Sequence, residues 1–120
     1  MFNNHRYEIS RKVDELEAIY NKIDKFFYQN FSIHGTEFGI VSDRYYYETK
    51  KYAVNIVMEW SKDFEDTLSE IKLLQSRHKG SIFDGDAAYA QDKNNKKRTD
   101  QISEKYEKVM NLVRNSQIID

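Results

Sequence analysis

The chain has 120 residues and a mass of 14.4 kDa, with 19 Lys and Arg against 20 Asp and Glu. That is one domain's worth of polypeptide, and we read 1–120 as a single domain. A formal charge of -1 argues against a protein that coats nucleic acid, which needs surplus Lys and Arg, and equally against an acidic DNA mimic. With no cysteine, disulfide frameworks, zinc ribbons and thiol chemistry are excluded.

The first twenty residues carry charges of both signs throughout and contain no apolar run suited to a secretory signal. No stretch approaches the roughly 20 apolar residues that cross a bilayer. The expected location is the cytoplasm, away from membranes.

In the first segment Ile9, Val13, Leu16, Tyr20, Ile23 and Phe27 step by 4, 3, 4, 3 and 4, with charged residues between them. This spacing predicts a helix over about 5–29 with one buried stripe. Residues 30–42 hold two of the four glycines, Gly35 and Gly39, and lose the helical spacing, which marks a connection.

From Asp43 to Lys79 two periodicities compete. Tyr52, Val54, Ile56, Met58 and Trp60 alternate as in a strand, whereas Tyr46, Thr49, Ala53, Ile56, Trp60, Phe64, Thr67, Ile71 and Leu74 share one helical face. The helical template accounts for more residues, and no Gly or Pro between Gly39 and Gly80 breaks it. The preferred reading is one helix over 43–79. The alternative is an α+β arrangement, a small hairpin near 38–60 feeding a helix from 62, which Ser61 would open and Asp63, Glu65 and Asp66 would favour in its first turn. At the far end Arg77, His78 and Lys79 complement the helix dipole and Gly80 suits a left-handed cap.

Residues 80–94 form a second connection. Ile102, Tyr106, Val109 and Val113 then repeat the 4, 3, 4 spacing, with Met110 and Leu112 widening the stripe. They predict a third helix over about 95–117, with a start as early as Asp86 as its alternative.

His5, His34 and His78 lie in separate segments, without the i, i+3 or i, i+4 spacing by which one helix holds a metal. No serine sits in a G-x-S-x-G elbow, and no arginine is followed by a histidine four to six residues on, as in helical ribonuclease toxins. Asp84-Gly85-Asp86 begins like a calcium loop, but the fifth and twelfth positions are Ala88 and Asn95. A turn with Asp86 as helix N-cap is the better reading. No cofactor, metal or catalytic residue is expected.

Lys93, Lys96, Lys97 and Arg98 are the one concentrated basic run, flanked by Asp92 and Asp100. A solvated helix face is the ordinary meaning of such a run; contact with an anion or nucleic acid is the functional one.

Aromatic residues say more. Phe26, Phe27, Tyr28, Phe31, Phe38, Tyr45, Tyr46 and Tyr47 place eight rings in 22 residues around the first connection. Three consecutive tyrosines sweep about 200° of a helix, so they cannot all be core. An exposed tyrosine suits an interface because its ring is apolar and its hydroxyl tolerates water. An aromatic plug for the end of the bundle is the competing structural role. Trp60 falls on the apolar seam under both readings and is expected in the core.

Phe83-Asp84-Gly85-Asp86-Ala87-Ala88, between two expected helices, resembles the aromatic-x-Gly turn of WXG100-like and LXG-type proteins of type VII secretion, with Phe in place of Trp. The resemblance implies a helical hairpin exported without a signal peptide. It covers about a third of the chain.

The expected fold is therefore all-α, three long helices in an antiparallel left-handed bundle. Seams this regular also suit a homodimer. The expected function is non-enzymatic: a small adaptor or inhibitor that docks on a larger protein through Phe31, Phe38, Tyr45, Tyr46 and Tyr47. The Asn- and Lys-rich composition suits an accessory protein of a phage or a low-GC bacterium. The alternatives are the exported hairpin and a nucleic-acid-associated protein that uses residues 93–98.

Overall fold

The computed structural model describes residues 4–27, 29, 43–79 and 85–115, with the backbone alone for 43–50 and Asn115. Three helices make up the described chain: α1 (Arg6–Phe27), α2 (Asp43–Arg77) and α3 (Asp86–Asn115). There is no strand among the described residues, and the segment from Asp43 to Trp60, where a hairpin was the alternative, is helical. Thirty-five residues without Gly or Pro make α2 about 52 Å long. The molecule measures 63 × 24 × 18 Å, and its radius of gyration of 18.7 Å exceeds the ~14 Å of a globular chain this size.

Packing is centred on α1, which lies against both α2 and α3. Its predicted stripe is the observed one: Ile9, Val13, Leu16, Ile23 and Phe27 are buried and Tyr20 packs partly buried against them. Along the α1–α2 seam Lys12 meets Glu70 and Phe26 meets Trp60, so residue numbers run in opposite senses. Between α1 and α3 they run together: Arg6 meets Asp92, Ser10 meets Asn95 and Asp14 meets Arg98.

The inward face of α2 is rotated from the expected one. Ala53, Val57, Ser61, Phe64 and Ile71 are buried, whereas Ile56 and Trp60 are only partly so. Small inward residues leave room for the Tyr106 ring of α3, which stacks on Phe64 with centroids 3.7 Å apart and planes 9° apart. Ser61 tolerates its inward place because its hydroxyl donates to the Met58 carbonyl at 2.7 Å. Trp60 is displaced to the flank, where it meets Phe26 edge-on at 5.0 Å under the Lys22 ammonium, 4.1 Å from its centroid. In α3, Ile102, Tyr106, Val109, Met110 and Val113 are buried, but Leu112 is exposed and does not widen the stripe.

Two helix starts are set by local chemistry. Asn4 Oδ1 accepts the Arg6 N–H at 2.9 Å and the His5 carbonyl accepts from Ile9 at 2.8 Å, which opens α1. Before α3 the N-cap is Gly85, not Asp86: its carbonyl accepts from Tyr89 at 3.1 Å, and its φ of +98° is one that side-chain-bearing residues avoid. Asp86 is the first helical residue, where its carboxylate favours the dipole. The helix thus takes the earlier of the two expected starts.

Candidate functional site

Phe31 and Phe38 lie outside the described residues, and Tyr45, Tyr46 and Tyr47 contribute only the backbone of the first turns of α2. What can be placed is the helix that carries the tyrosines. The buried seam of α2 begins, among described side chains, at Ala53, and Phe26 already meets Trp60 near the end of α1. The first ten residues of α2, about 15 Å of helix, precede the first buried side chain described on that helix. Tyr52, at the end of that stretch, is 64% exposed.

The basic run is divided by the fold. Lys93, Lys96 and Lys97 are exposed on α3, with the Lys93 ammonium 5.3 Å from the Tyr89 ring centroid. Arg98 turns toward α1, 2.9 Å from Asp14 and 3.6 Å from Glu17. Its charge is thereby matched within the bundle.

At the same end all three helices are tied by a junction of polar side chains. The Arg6 guanidinium grips Asp92 through two parallel bonds, Nε to Oδ1 at 2.7 Å and Nη2 to Oδ2 at 2.8 Å. This fork is the main reason the Asp92 carboxyl titrates below its ordinary range, against a desolvation penalty and with help from His78. Nδ1 of His78 accepts the His5 backbone N–H at 3.1 Å, which places the ring proton on Nε2. That Nε2 is buried 3.0 Å from Asp92 Oδ2, but off the line of a good hydrogen bond, so the contact is electrostatic.

One turn further along, Asn95 is 2% exposed, donates from Nδ2 to Ser10 Oγ at 2.9 Å and accepts from Gln91 Nε2 at 3.1 Å. Its carbonyl accepts the Thr99 hydroxyl at 2.7 Å. Two clefts flank this layer. One, of about 390 Å³, lies between α2 and α3 and is lined by Gln75, Ser76, His78, Asp92 and Lys96 over Ile9. The other, of about 530 Å³, lies between α1 and α3 beside Asn4, Arg6, Tyr7, Ser10 and Gln91.

Chemically, the junction joins helices more readily than it moves protons. One ring nitrogen of His78 accepts from backbone, the other faces a carboxylate already held by arginine, and neither is presented to a cleft as a free base. Among the described residues no group of three or more His, Cys, Asp or Glu is placed to hold a metal ion. His5 and His78, which the sequence separates, meet here. The available signal was polar: stepping back from Ile102 by helical spacing lands on Thr99, Asn95 and Asp92, where an apolar stripe should continue. Searches of family models, curated proteins and solved structures find no match to the chain.

Proposed function

We propose that the chain is an antiparallel three-helix bundle that acts without catalysis, as an adaptor or inhibitor docking on a larger protein through its aromatic end. The observation that carries this reading is that Tyr45, Tyr46 and Tyr47 occupy consecutive positions on the first turns of the helix α2, with the exposed Tyr52 further along it. Opposed residue numbering between α1 and α2 supports the antiparallel arrangement. Three consecutive helical positions sweep about 200° of the circumference, so they offer rings on several sides, as an aromatic anchor requires. Phe31 and Phe38, in the connection leading to that helix, complete the proposed surface. No described helix is long and apolar enough to cross a membrane, which suits work in the cytoplasm.

The test is a comparative pull-down from the native host with the wild-type chain and a Tyr45→Ala/Tyr47→Ala variant. The reading requires a captured protein that the variant loses while its melting temperature stays nearly unchanged. A large fall in melting temperature instead assigns these rings to the core. The exported-hairpin reading retains one favouring observation, the positive φ of Gly85 at the turn into α3. Recovery of the chain from culture medium distinguishes it.

A further inference from the structure

The near-neutral chain is strongly polar along its length. Residues 4–13, 70–79 and 85–99, brought together at the junction end, hold ten Lys and Arg against four Asp and Glu, a net charge of +6, of which the charge of Arg98 is matched by Asp14 of α1. The other 85 residues carry -7. Three of the four carboxylates already face basic partners: Asp92 faces Arg6 and His78, Glu70 faces Lys12, and Glu8 lies 3.8 Å from His5. Arg11, Lys72, Arg77, Lys79, Lys93, Lys96 and Lys97 are exposed with no carboxylate within 4 Å among the described residues.

Two aromatic rings stand among these cations. Tyr7 is 84% exposed beside the α1–α3 cleft, and Tyr89, on the first turn of α3, is 60% exposed. Each precedes a cation by four residues, Arg11 and Lys93, so ring and charge share a helix face. We infer that this end binds single-stranded nucleic acid, with Arg11, Lys93, Lys96 and Lys97 on phosphates and Tyr7 and Tyr89 stacking on unpaired bases. Cations alone would suit any polyanion. The rings favour a single strand, because stacking needs exposed base faces that a duplex or an acidic protein does not present. The surface lies at the far end of α2 from Tyr45–Tyr47, so it is independent of the proposed protein-docking end.

The test is fluorescence anisotropy of the full chain with a labelled single-stranded oligonucleotide of about 12 nucleotides, the duplex of the same sequence, and poly-glutamate. The inference expects micromolar binding of the single strand at 50 mM salt, tighter than the duplex, with log affinity falling against log salt at a slope of about -2 to -3. Lys93→Glu/Lys96→Glu/Lys97→Glu should weaken binding at least tenfold and flatten that slope. Tyr7→Ala and Tyr89→Ala should each weaken it about fivefold or more with the slope unchanged. No single-strand binding at 100 μM protein, equal binding of duplex or poly-glutamate, or indifference to both tyrosines overturns the inference. Should the triple variant lose helicity by circular dichroism, the wild-type salt slope and the tyrosine variants decide alone.

Discussion

The rotated face of α2 makes a quantitative demand on Phe64 and Trp60. On the expected seam Trp60 would be core, and its truncation to alanine would cost roughly 3–5 kcal/mol. Phe64 is instead the fully buried ring, stacked on Tyr106, which is itself 2% exposed. Phe64→Ala therefore removes a whole ring from a packed layer and should cost about 3–5 kcal/mol. Trp60 loses less. Its edge-on contact with Phe26 is worth about 0.5–1.5 kcal/mol. The Lys22 ammonium over its ring adds about 0.5–1 kcal/mol. Trp60 lies on the flank, where the space its ring vacates opens to water instead of leaving a closed cavity, so the whole loss should be about 2 kcal/mol, below the cost in the core. Urea unfolding followed by helix circular dichroism reads both, since an m-value of about 2 kcal/mol/M turns these costs into midpoint shifts of about 2 M and 1 M. A Trp60→Ala variant that loses as much as Phe64→Ala, with unchanged m-values, would mean that α2 presents the other face to α1 and α3.

Three further outcomes follow from the junction and the helix starts. Asn95→Leu removes the shared partner of Ser10 and Gln91, which keep the 3.1 Å bond from Gln91 Nε2 to Ser10 Oγ, and should cost about 1 kcal/mol; pairing it with Ser10→Ala and Gln91→Leu should recover most of that in the same urea assay. Because the folded Asp92 carboxyl titrates below its unfolded value near 4, its stabilising contribution is full above that value and is lost as pH falls through the depressed one. The drop in unfolding free energy below about pH 4 should therefore be shallower in Asp92→Asn, which also starts less stable at pH 7. Gly85→Ala meets no atom within 4 Å, so its cost should come from the positive φ alone, about 1–2 kcal/mol by thermal or urea unfolding.

The helices were legible where one stripe of large apolar residues had no rival. Ile9, Val13, Leu16 and Ile23 admit a single face, and so do Ile102, Tyr106, Val109 and Val113, all of which are buried. In α2 two stripes one residue apart compete, Ile56 with Trp60 against Val57 with Ser61. Size favours the first, but the second is inside, because the Tyr106 ring needs small neighbours and Ser61 satisfies its own hydroxyl on Met58. The junction is a different kind of case. Arg6 and Asp92 are 86 residues apart, and His5 and His78 are 73 apart, so no local periodicity announces their meeting. Polar residues in place of apolar ones along α3 mark where such a layer lies, not what fills it.

Charge shows most clearly what the linear sequence hides. Along the chain the cations of residues 4–13 are separated from those of 70–79 by the acidic stretch 14–69, with six Lys and Arg against eleven Asp and Glu, and only residues 93–98 stand out as a basic run. Folding α1 back along α2, with α3 beside α1, collects the start of α1, the end of α2 and the start of α3 at one level, as the Arg6–Asp92–His78 contacts require. That same register places Tyr45–Tyr47 at the opposite end of α2, about 37 Å of helix away from Lys72. At this distance, several times the ~8 Å Debye length of physiological salt, the two ends do not sense each other electrostatically. A protein proposed to dock at the aromatic end and a strand proposed to bind at the basic end would thus be held independently, each with an affinity set by its own surface. A chain with its cations and tyrosines mixed on one face would have to choose between them.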